Sequence, residues 1–413
     1  MTSLAFVVIG VVFGLYLAMN IGGNDVANAM GTSVGSRALT LRQAILAAAV
    51  FEFLGAVLVG GNVTKTVKKG VVDLHALSDP SVFMIVMCAA LLSAALWLQL
   101  ATWRGWPVST THSIIGALAG GGVAAAGLDG VSWAKLAQIG TSWVLSPLVG
   151  GAIGFAMFRL ISSRILKTSH PRVMTRRAVP FLAALVVFVL VLSMLYKGLK
   201  NLHLDFPLGR ALELASAGAA LSGLLVAVMV WRRPLGRIRL SNRFGYVENQ
   251  FGWLQVMTAC YVAFAHGSND VANAIGPLSG ILAAWRTGAV RNEVEVQTWV
   301  LALGGAGIVA GLALWGHKVM ETVGRRLTEL TPSRGFSAEF AAATTVLVCS
   351  KLGMPISTTH TLVGSVIGVG FARGIAALDM RVVRDVLAAW VITLPAAALL
   401  AVVLTRVMLL ILT

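Results

Sequence analysis

Gly22-Gly23-Asn24-Asp25-Val26-Ala27-Asn28-Ala29 sets one carboxylate and two carboxamides among small apolar side chains. Gly267-Ser268-Asn269-Asp270-Val271-Ala272-Asn273-Ala274 restates the pattern in the second half of the chain. On a helix, Asp25 and Asn28 are three apart and Asn24 and Asn28 four apart, which puts the polar groups on one face. Gly22 and Gly23 suit an unwound turn, with Asn24 as the N-cap of a helix that starts in mid-membrane. Such a start exposes N–H groups and the positive dipole end, a setting for an anion. Asp25 and Asp270 would repel that anion unless they hold Na⁺ or accept a hydrogen bond from a protonated ligand. Polar contacts that only pack helices together are the plainer reading, and the identical spacing of the two copies weighs against it.

A second pair of stretches carries hydroxyls. Gly105-Trp106-Pro107-Val108-Ser109-Thr110-Thr111-His112 matches Gly353-Met354-Pro355-Ile356-Ser357-Thr358-Thr359-His360. A proline there ends one helix and can start the next. The apolar runs that follow, Ile114–Ala126 and Leu362–Phe371, are short and glycine-rich for ordinary spans, so each stretch reads as the tip of a re-entrant hairpin. Ser109, Thr110 and Thr111 with Ser357, Thr358 and Thr359 then offer six hydroxyls and two helix starts, enough to replace the hydration shell of a tetrahedral oxyanion. Hydroxyls bonded back to their own helix are the plainer alternative. His112 and His360 read as capping or packing residues rather than proton carriers, and they lack partners at metal-ligand spacing. A nucleophilic Ser109 or Ser357 needs a positioned base, and duplication of a catalytic serine is unusual, so the chain does not read as an enzyme.

Among single residues, Glu52 stands inside an apolar span with no acid at the matching place near Ile308, which makes it a candidate for the coupling ion. Thr66 and Thr322 follow apolar spans in equivalent places and, with Asn62 and Gln99, are further candidate ligands. Arg104 and Lys351 adjoin the two hairpins and either draw anions in or snorkel to an interface.

The elements that must position these groups are membrane helices. Of 413 residues, 57% are hydrophobic and 12% charged, at a mean hydropathy of +0.85, whereas soluble domains carry about 25% charged residues. In hydrocarbon each backbone group must be satisfied within its own segment, which requires helices. Apolar runs of ~20 residues give ten to twelve membrane segments, among them Leu41–Gly61, Val82–Ala101, Trp133–Phe158, Ala178–Leu199, Ala211–Trp231, Thr298–Trp315 and Val386–Leu412. The first segment, from Ser3 to Met19, lacks a basic leader and reads as a working helix rather than a cleaved signal. The net charge of +16 belongs to short loops that set topology and does not point to nucleic acid. Two basic loops, Arg159 to Arg177 and Arg232 to Arg243, flank a pair of spans and therefore fall on one side, which the positive-inside rule makes cytoplasmic. Cys88, Cys260 and Cys349 lie in apolar runs and imply no disulfide framework. Trp143-Val144-Leu145-Ser146-Pro147 resembles Trp390-Val391-Ile392-Thr393-Leu394-Pro395, which extends the duplication. The chain divides into a first repeat (1–160), a connector of two spans with basic loops (161–250) and a second repeat (251–413). Duplication around interrupted hydrophobic segments is the pattern of secondary transporters.

The two acidic motifs and the two Pro-[Val/Ile]-Ser-Thr-Thr-His stretches together resemble the inorganic phosphate transporter (PiT) family, over nearly the whole chain. The resemblance implies an all-α carrier of inverted repeats with two re-entrant hairpins, a homodimer in the plasma membrane (the inner membrane of a bacterial cell), which moves phosphate with Na⁺ or H⁺ and has no other cofactor. By that resemblance phosphate contacts Asp25, Asn28, Ser109, Thr110, Thr111, Asp270, Asn273, Ser357, Thr358 and Thr359. Cation sites use Asn24, Asp25, Asn269 and Asp270, with Thr66 and Thr322. Gly23 and Ser268 replace the signature alanine of the family. A sulfate symporter of the same family is the runner-up, and an ion channel the reading from a different class.

Overall fold

The computed structural model describes residues 3–61, 71–196, 206–232, 244–290, 296–326, 330–352, 354, 356–374 and 380–412. Among them the chain forms twelve α-helices. In the first half these are α1 (Ser3–Gly35), α2 (Leu41–Val59), α3 (Pro80–Trp103), α4 (Thr110–Ala126) and α5 (Trp133–Ile161). A pair, α6 (Pro171–Leu195) and α7 (Leu208–Arg232), follows. The second half supplies α8 (Gly245–Thr287), α9 (Thr298–Arg326), α10 (Pro332–Lys351), α11 (Thr358–Arg373) and α12 (Met380–Leu412). Nine segments within these helices are long and apolar enough to cross a membrane. Five helices, α1 to α5, precede the pair α6 and α7, and five, α8 to α12, follow it.

Helix starts follow local chemistry. Thr40 and Gln43 form a capping box before α2, Asp79 caps α3 with Pro80 in its first turn, and Ser109 and Ser357 cap α4 and α11 by accepting from the N–H three residues on. The connector is a helical pair, and the guanidinium of Arg176 near the start of α6 donates to the carbonyl of Trp231 near the end of α7. That contact brings the described parts of both basic loops to one side, as the charge pattern requires. Residues 233–243 lie outside the described set. The three cysteines are free.

The expectation of an unwound turn at the acidic motifs is corrected. α1 runs through Gly22 and Gly23 as one helix of 33 residues, and α8 runs through Gly267 and Ser268 as one helix of 43. The glycines serve a helix crossing instead of a helix start. A Cβ on Gly22 would lie 1.9 Å from the carbonyl oxygen of Ile308 in α9, and one on Gly267 would lie 2.1 Å from the carbonyl oxygen of Glu52 in α2. Facing glycines complete each crossing: a Cβ on Gly311 would lie 1.7 Å from the Met19 carbonyl oxygen, and one on Gly55 2.1 Å from that of Phe264. α1 thus lies backbone to backbone on α9, and α8 on α2 in the same way. Each motif helix is seated on a helix of the opposite half, a close approach that only a missing side chain permits.

That seating makes a prediction. Gly311→Ala should push α9 off α1 and cost about 1–3 kcal/mol, read as a lower unfolding temperature in detergent. Gly209→Ala, where an added Cβ meets nothing within 4 Å, should leave it unchanged. Equal melting of the two variants would mean that the crossing tolerates separation.

Candidate functional site

The seated motif helices carry their polar faces to the centre of the molecule. Asp25, Asn28, Asp270 and Asn273 are all buried, as are the hydroxyls at the starts of α4 and α11. The Nδ2 of Asn28 donates to Asp25 Oδ1 at 2.8 Å, and that of Asn273 to Asp270 Oδ1 at 3.0 Å. These are the i,i+3 pairs expected from the spacing. The hydroxyls arrive from the other half in each case. Thr359 accepts from Asn28 at 2.8 Å and donates toward Asp25 Oδ1 at 3.2 Å, whereas Thr111 accepts from Asn273 at 3.2 Å and faces Asp270 Oδ1 at 3.4 Å. Thr110 also faces Asp270 Oδ1 at 3.4 Å, and Thr358 is buried beside the same carboxylate. Two half-cages result, each a motif helix of one half met by the hydroxyl-bearing helix of the other, with Thr358 of the same half added at Asp270.

Other predicted residues take supporting places. Ser109 and Ser357 accept from the backbone N–H of His112 at 3.1 Å and of His360 at 3.2 Å, so their oxygens fix the helix starts. Asn24 holds the turn before α4: its Nδ2 donates to Thr102 and to the Trp106 carbonyl, both at 3.0 Å, and its Oδ1 accepts from Val108 N at 3.3 Å. Asn269 does the same before α11, donating to the Ile356 carbonyl at 3.2 Å and accepting from Ser350 at 3.3 Å. Each asparagine therefore ties its motif helix to the hairpin of its own repeat. Arg104 stands over the Trp106 ring at 5.4 Å, Lys351 donates to the Tyr196 carbonyl at 2.6 Å, and Gln99 accepts from Tyr16 at 3.5 Å. Asn62 and Thr66, and the side chain of Thr322, lie outside the described residues.

The centre itself turns on a residue the sequence reading passed over. His266, one residue before the second motif, is buried with Nε2 3.5 Å from Asp25 Oδ2 and 3.2 Å from Asp270 Oδ2. Its Nδ1 lies 3.3 Å from Glu52 Oε1. The free oxygens of both aspartates and a ring nitrogen of His266 all lie within 4.8 Å of one another. Neither of those oxygens, neither histidine nitrogen and neither oxygen of Glu52 closes a regular hydrogen bond. Buried groups of this kind cost free energy unless something completes them. Carboxylate oxygens so placed have the chemistry to ligate a small cation, and amides and hydroxyls that to bond an oxyanion. Glu52 belongs to this centre as well, which the sequence placed in the span and not beside the aspartates.

A second buried acid was also missed. Glu339 in α10 accepts from Thr32 at 2.5 Å, Ser33 at 2.7 Å, Gln255 at 3.0 Å and Thr258 at 2.6 Å. Thr32 and Ser33 extend α1 beyond Asn28, and Gln255 and Thr258 lie on α8, so this knot joins both motif helices. The signal was available for both residues. His266 and Glu339 are ionisable groups inside apolar runs, the same feature that singled out Glu52.

A family model described as "Phosphate transporter family" matches residues 21–401. The chain is 43% identical over 421 residues to a chloroplastic inorganic phosphate transporter of Arabidopsis thaliana, covering 95% of this chain and 70% of that one. It is similar to a solved structure titled "The sodium-dependent phosphate transporter", with a TM-score of 0.92 and 42% identity, covering 99% of this chain and 100% of that one.

The exposed question is whether the two aspartates share one ion. If they do, NaCl should raise the unfolding temperature of the purified protein relative to choline chloride. A ligand at 100-fold its dissociation constant adds about 2.7 kcal/mol. Asp25→Asn and Asp270→Asn should each abolish that gain; retention in both variants would place the ion elsewhere.

Proposed function

This chain belongs to the phosphate transporter family, an integral multi-pass membrane protein, and we propose that it imports inorganic phosphate together with a monovalent cation by alternating access. One observation carries the reading. Two half-cages of opposite origin bring the free oxygens of Asp25 and Asp270 to one fully buried point, ringed by Asn28, Asn273, Thr111 and Thr359. Phosphate binds among the carboxamides and hydroxyls, with Thr110, Thr358 and the caps of Ser109 and Ser357 completing the cradle. Cations at Asp25 and Asp270, with Asn24 and Asn269 behind them, cancel the repulsion that would otherwise exclude the anion. Coupling follows from this electrostatics, because neither charge is tolerated alone in the low-dielectric centre.

Na⁺ is the favoured cation, since a solved relative of this fold is titled sodium-dependent. Glu52 and His266 balance the two aspartates when the cation leaves. Glu339, with five oxygen-bearing neighbours counting Ser36 on Gln255, is a further station for the coupling ion. The aspartates also favour hydrogenphosphate over sulfate, because only hydrogenphosphate has a proton to donate to a carboxylate at neutral pH. Rocking of one repeat (1–160) against the other (251–413) around the point they share exposes it to either side in turn. The connector (161–250) lies outside that movement, and two copies associate as a homodimer. A channel is disfavoured, because a closed site built to bind does not suit continuous conduction.

Proteoliposomes test the whole reading. Uptake of labelled phosphate should rise with an inward Na⁺ gradient and respond weakly to a pH gradient imposed alone. Equimolar sulfate should leave it largely intact, and Asp25→Asn or Asp270→Asn should each reduce accumulation by about 100-fold or more, the loss of roughly 2.7 kcal/mol. Full activity in both variants would overturn the assigned roles. Glu339→Gln should raise the Na⁺ concentration for half-maximal uptake by about tenfold while phosphate affinity at saturating Na⁺ is kept. An unchanged Na⁺ response would make the Glu339 knot purely structural.

A further inference from the structure

Behind the hydroxyl-bearing helix starts lies a feature that phosphate handling does not use. His112 follows Thr111 and His360 follows Thr359, yet their rings turn away from the aspartates and meet each other edge to face, with centroids 4.3 Å apart. Trp143 of α5 covers the His112 ring at 3.9 Å, and Trp390 of α12 stacks on His360 at 3.5 Å. This row of four rings floors a cleft of about 810 Å³ walled by α5, α11 and α12. The walls are apolar, with Leu148, Phe155, Phe371, Leu387 and Val391 at the cleft, all exposed at the protein surface. Trp143 and Trp390 lie in helices that hold candidate membrane spans, Trp390 near the start of Leu387–Leu412, so the apolar mouth sits toward one end of the spans within reach of lipid chains.

Two facts make this more than a dent in a lipid-facing surface. The cleft is propped open by its own crossings. α4 lies on α12 where a Cβ on Gly116 would come within 2.4 Å of the Leu394 carbonyl oxygen, and α11 lies on α5 where one on Gly364 would come within 2.3 Å of the Pro147 carbonyl oxygen. Walls held backbone to backbone do not collapse into the space between them. Its floor is also polar. Both nitrogens of His112, both of His360, and the indole nitrogens of Trp143 and Trp390 are buried without a hydrogen-bond partner. One main-chain carbonyl lies beside each imidazole, that of Trp390 for His112 and of Trp143 for His360. At least one nitrogen per ring is therefore left over, and a buried polar group left unmet costs free energy.

We infer that this cleft binds a bilayer-borne amphiphile, an apolar chain ending in one hydrogen-bonding group that meets the imidazole pair, of which a protonated long-chain fatty acid is the minimal example. The size fits, since small-molecule sites run from about 300 to 1,000 Å³ and are mostly apolar with a few placed polar groups. An occupant would touch the rings adjoining Thr111 and Thr359 and so hold the two hydroxyl-bearing helices at a fixed separation. It would act as an inhibitor from the lipid side. Only this last effect rests on the transport reading; binding does not.

Quenching of tryptophan emission by dibrominated stearic acid in proteoliposomes tests binding directly. The expected result is saturable quenching, lost in the Trp143→Phe/Trp390→Phe double variant and weakened by at least about tenfold in half-saturation in His112→Phe/His360→Phe. Phosphatidylcholine with dibrominated chains, at equal bromine, should quench only in proportion to its content, because its polar group stays at the membrane surface. Leu148→Phe/Val391→Phe narrows the mouth and lies outside the phosphate machinery. It should abolish the saturable component and make phosphate uptake insensitive to the acid without changing uptake in its absence. Quenching that stays proportional to bromine for both probes would overturn the site. Saturation by the phospholipid as well would overturn the hydrogen-bonding group as its determinant.

Discussion

Two carboxylates are brought to one point inside a low-dielectric interior, and nearly every other feature of the fold answers that burden. Left alone, Asp25 and Asp270 would repel each other and any anion near them. Asparagine and threonine satisfy one oxygen of each, and the other oxygen of each faces the same His266 nitrogen. Glu52 holds the opposite edge of that ring. The centre is thus held by its own internal partner, His266.

Delivering the carboxylates to one point is a problem of backbones more than of side chains. α1 and α8 approach helices of the opposite repeat so closely that glycine is required on both surfaces. α4 and α11 obey the same rule, their glycines meeting carbonyls of α12 and α5. In lipid no hydrophobic drive brings helices together, so close van der Waals contact between backbones has to do it. These crossings fix the cage and, on its far side, hold open the cleft beneath the two histidines. One packing device therefore shapes both the water-side and the lipid-side chemistry of the protein.

The two halves are alike in their packing and unlike in their charges. Asn24 and Asn269, Asp25 and Asp270, Thr111 and Thr359 hold matching positions, as do the ring stacks of His112 and His360. His266, Glu52 and Glu339 have no counterparts: Ile308 stands where Glu52 would be matched, and Ile21 and Leu91 stand at the places of His266 and Glu339. The asymmetry between the halves thus lies in their buried ionisable groups.

The sequence determined a great deal here. Hydropathy demanded membrane helices, and spacing along a helix put Asp25 with Asn28 and Asp270 with Asn273 on shared faces, because periodicity dictates which groups share a face. Pro107 and Pro355 marked the helix starts that follow them. The glycines were misread as helix breakers, since their real partners, Ile308 and Glu52, are hundreds of residues away and no local pattern reveals a crossing. His266 and Glu339 carried a signal in their burial among apolar residues, but their partners come from other helices. Only the tertiary structure could decide that each hydroxyl-bearing helix closes the motif of the opposite repeat, because a periodicity fixes the face of one helix and says nothing about which other helix that face will meet.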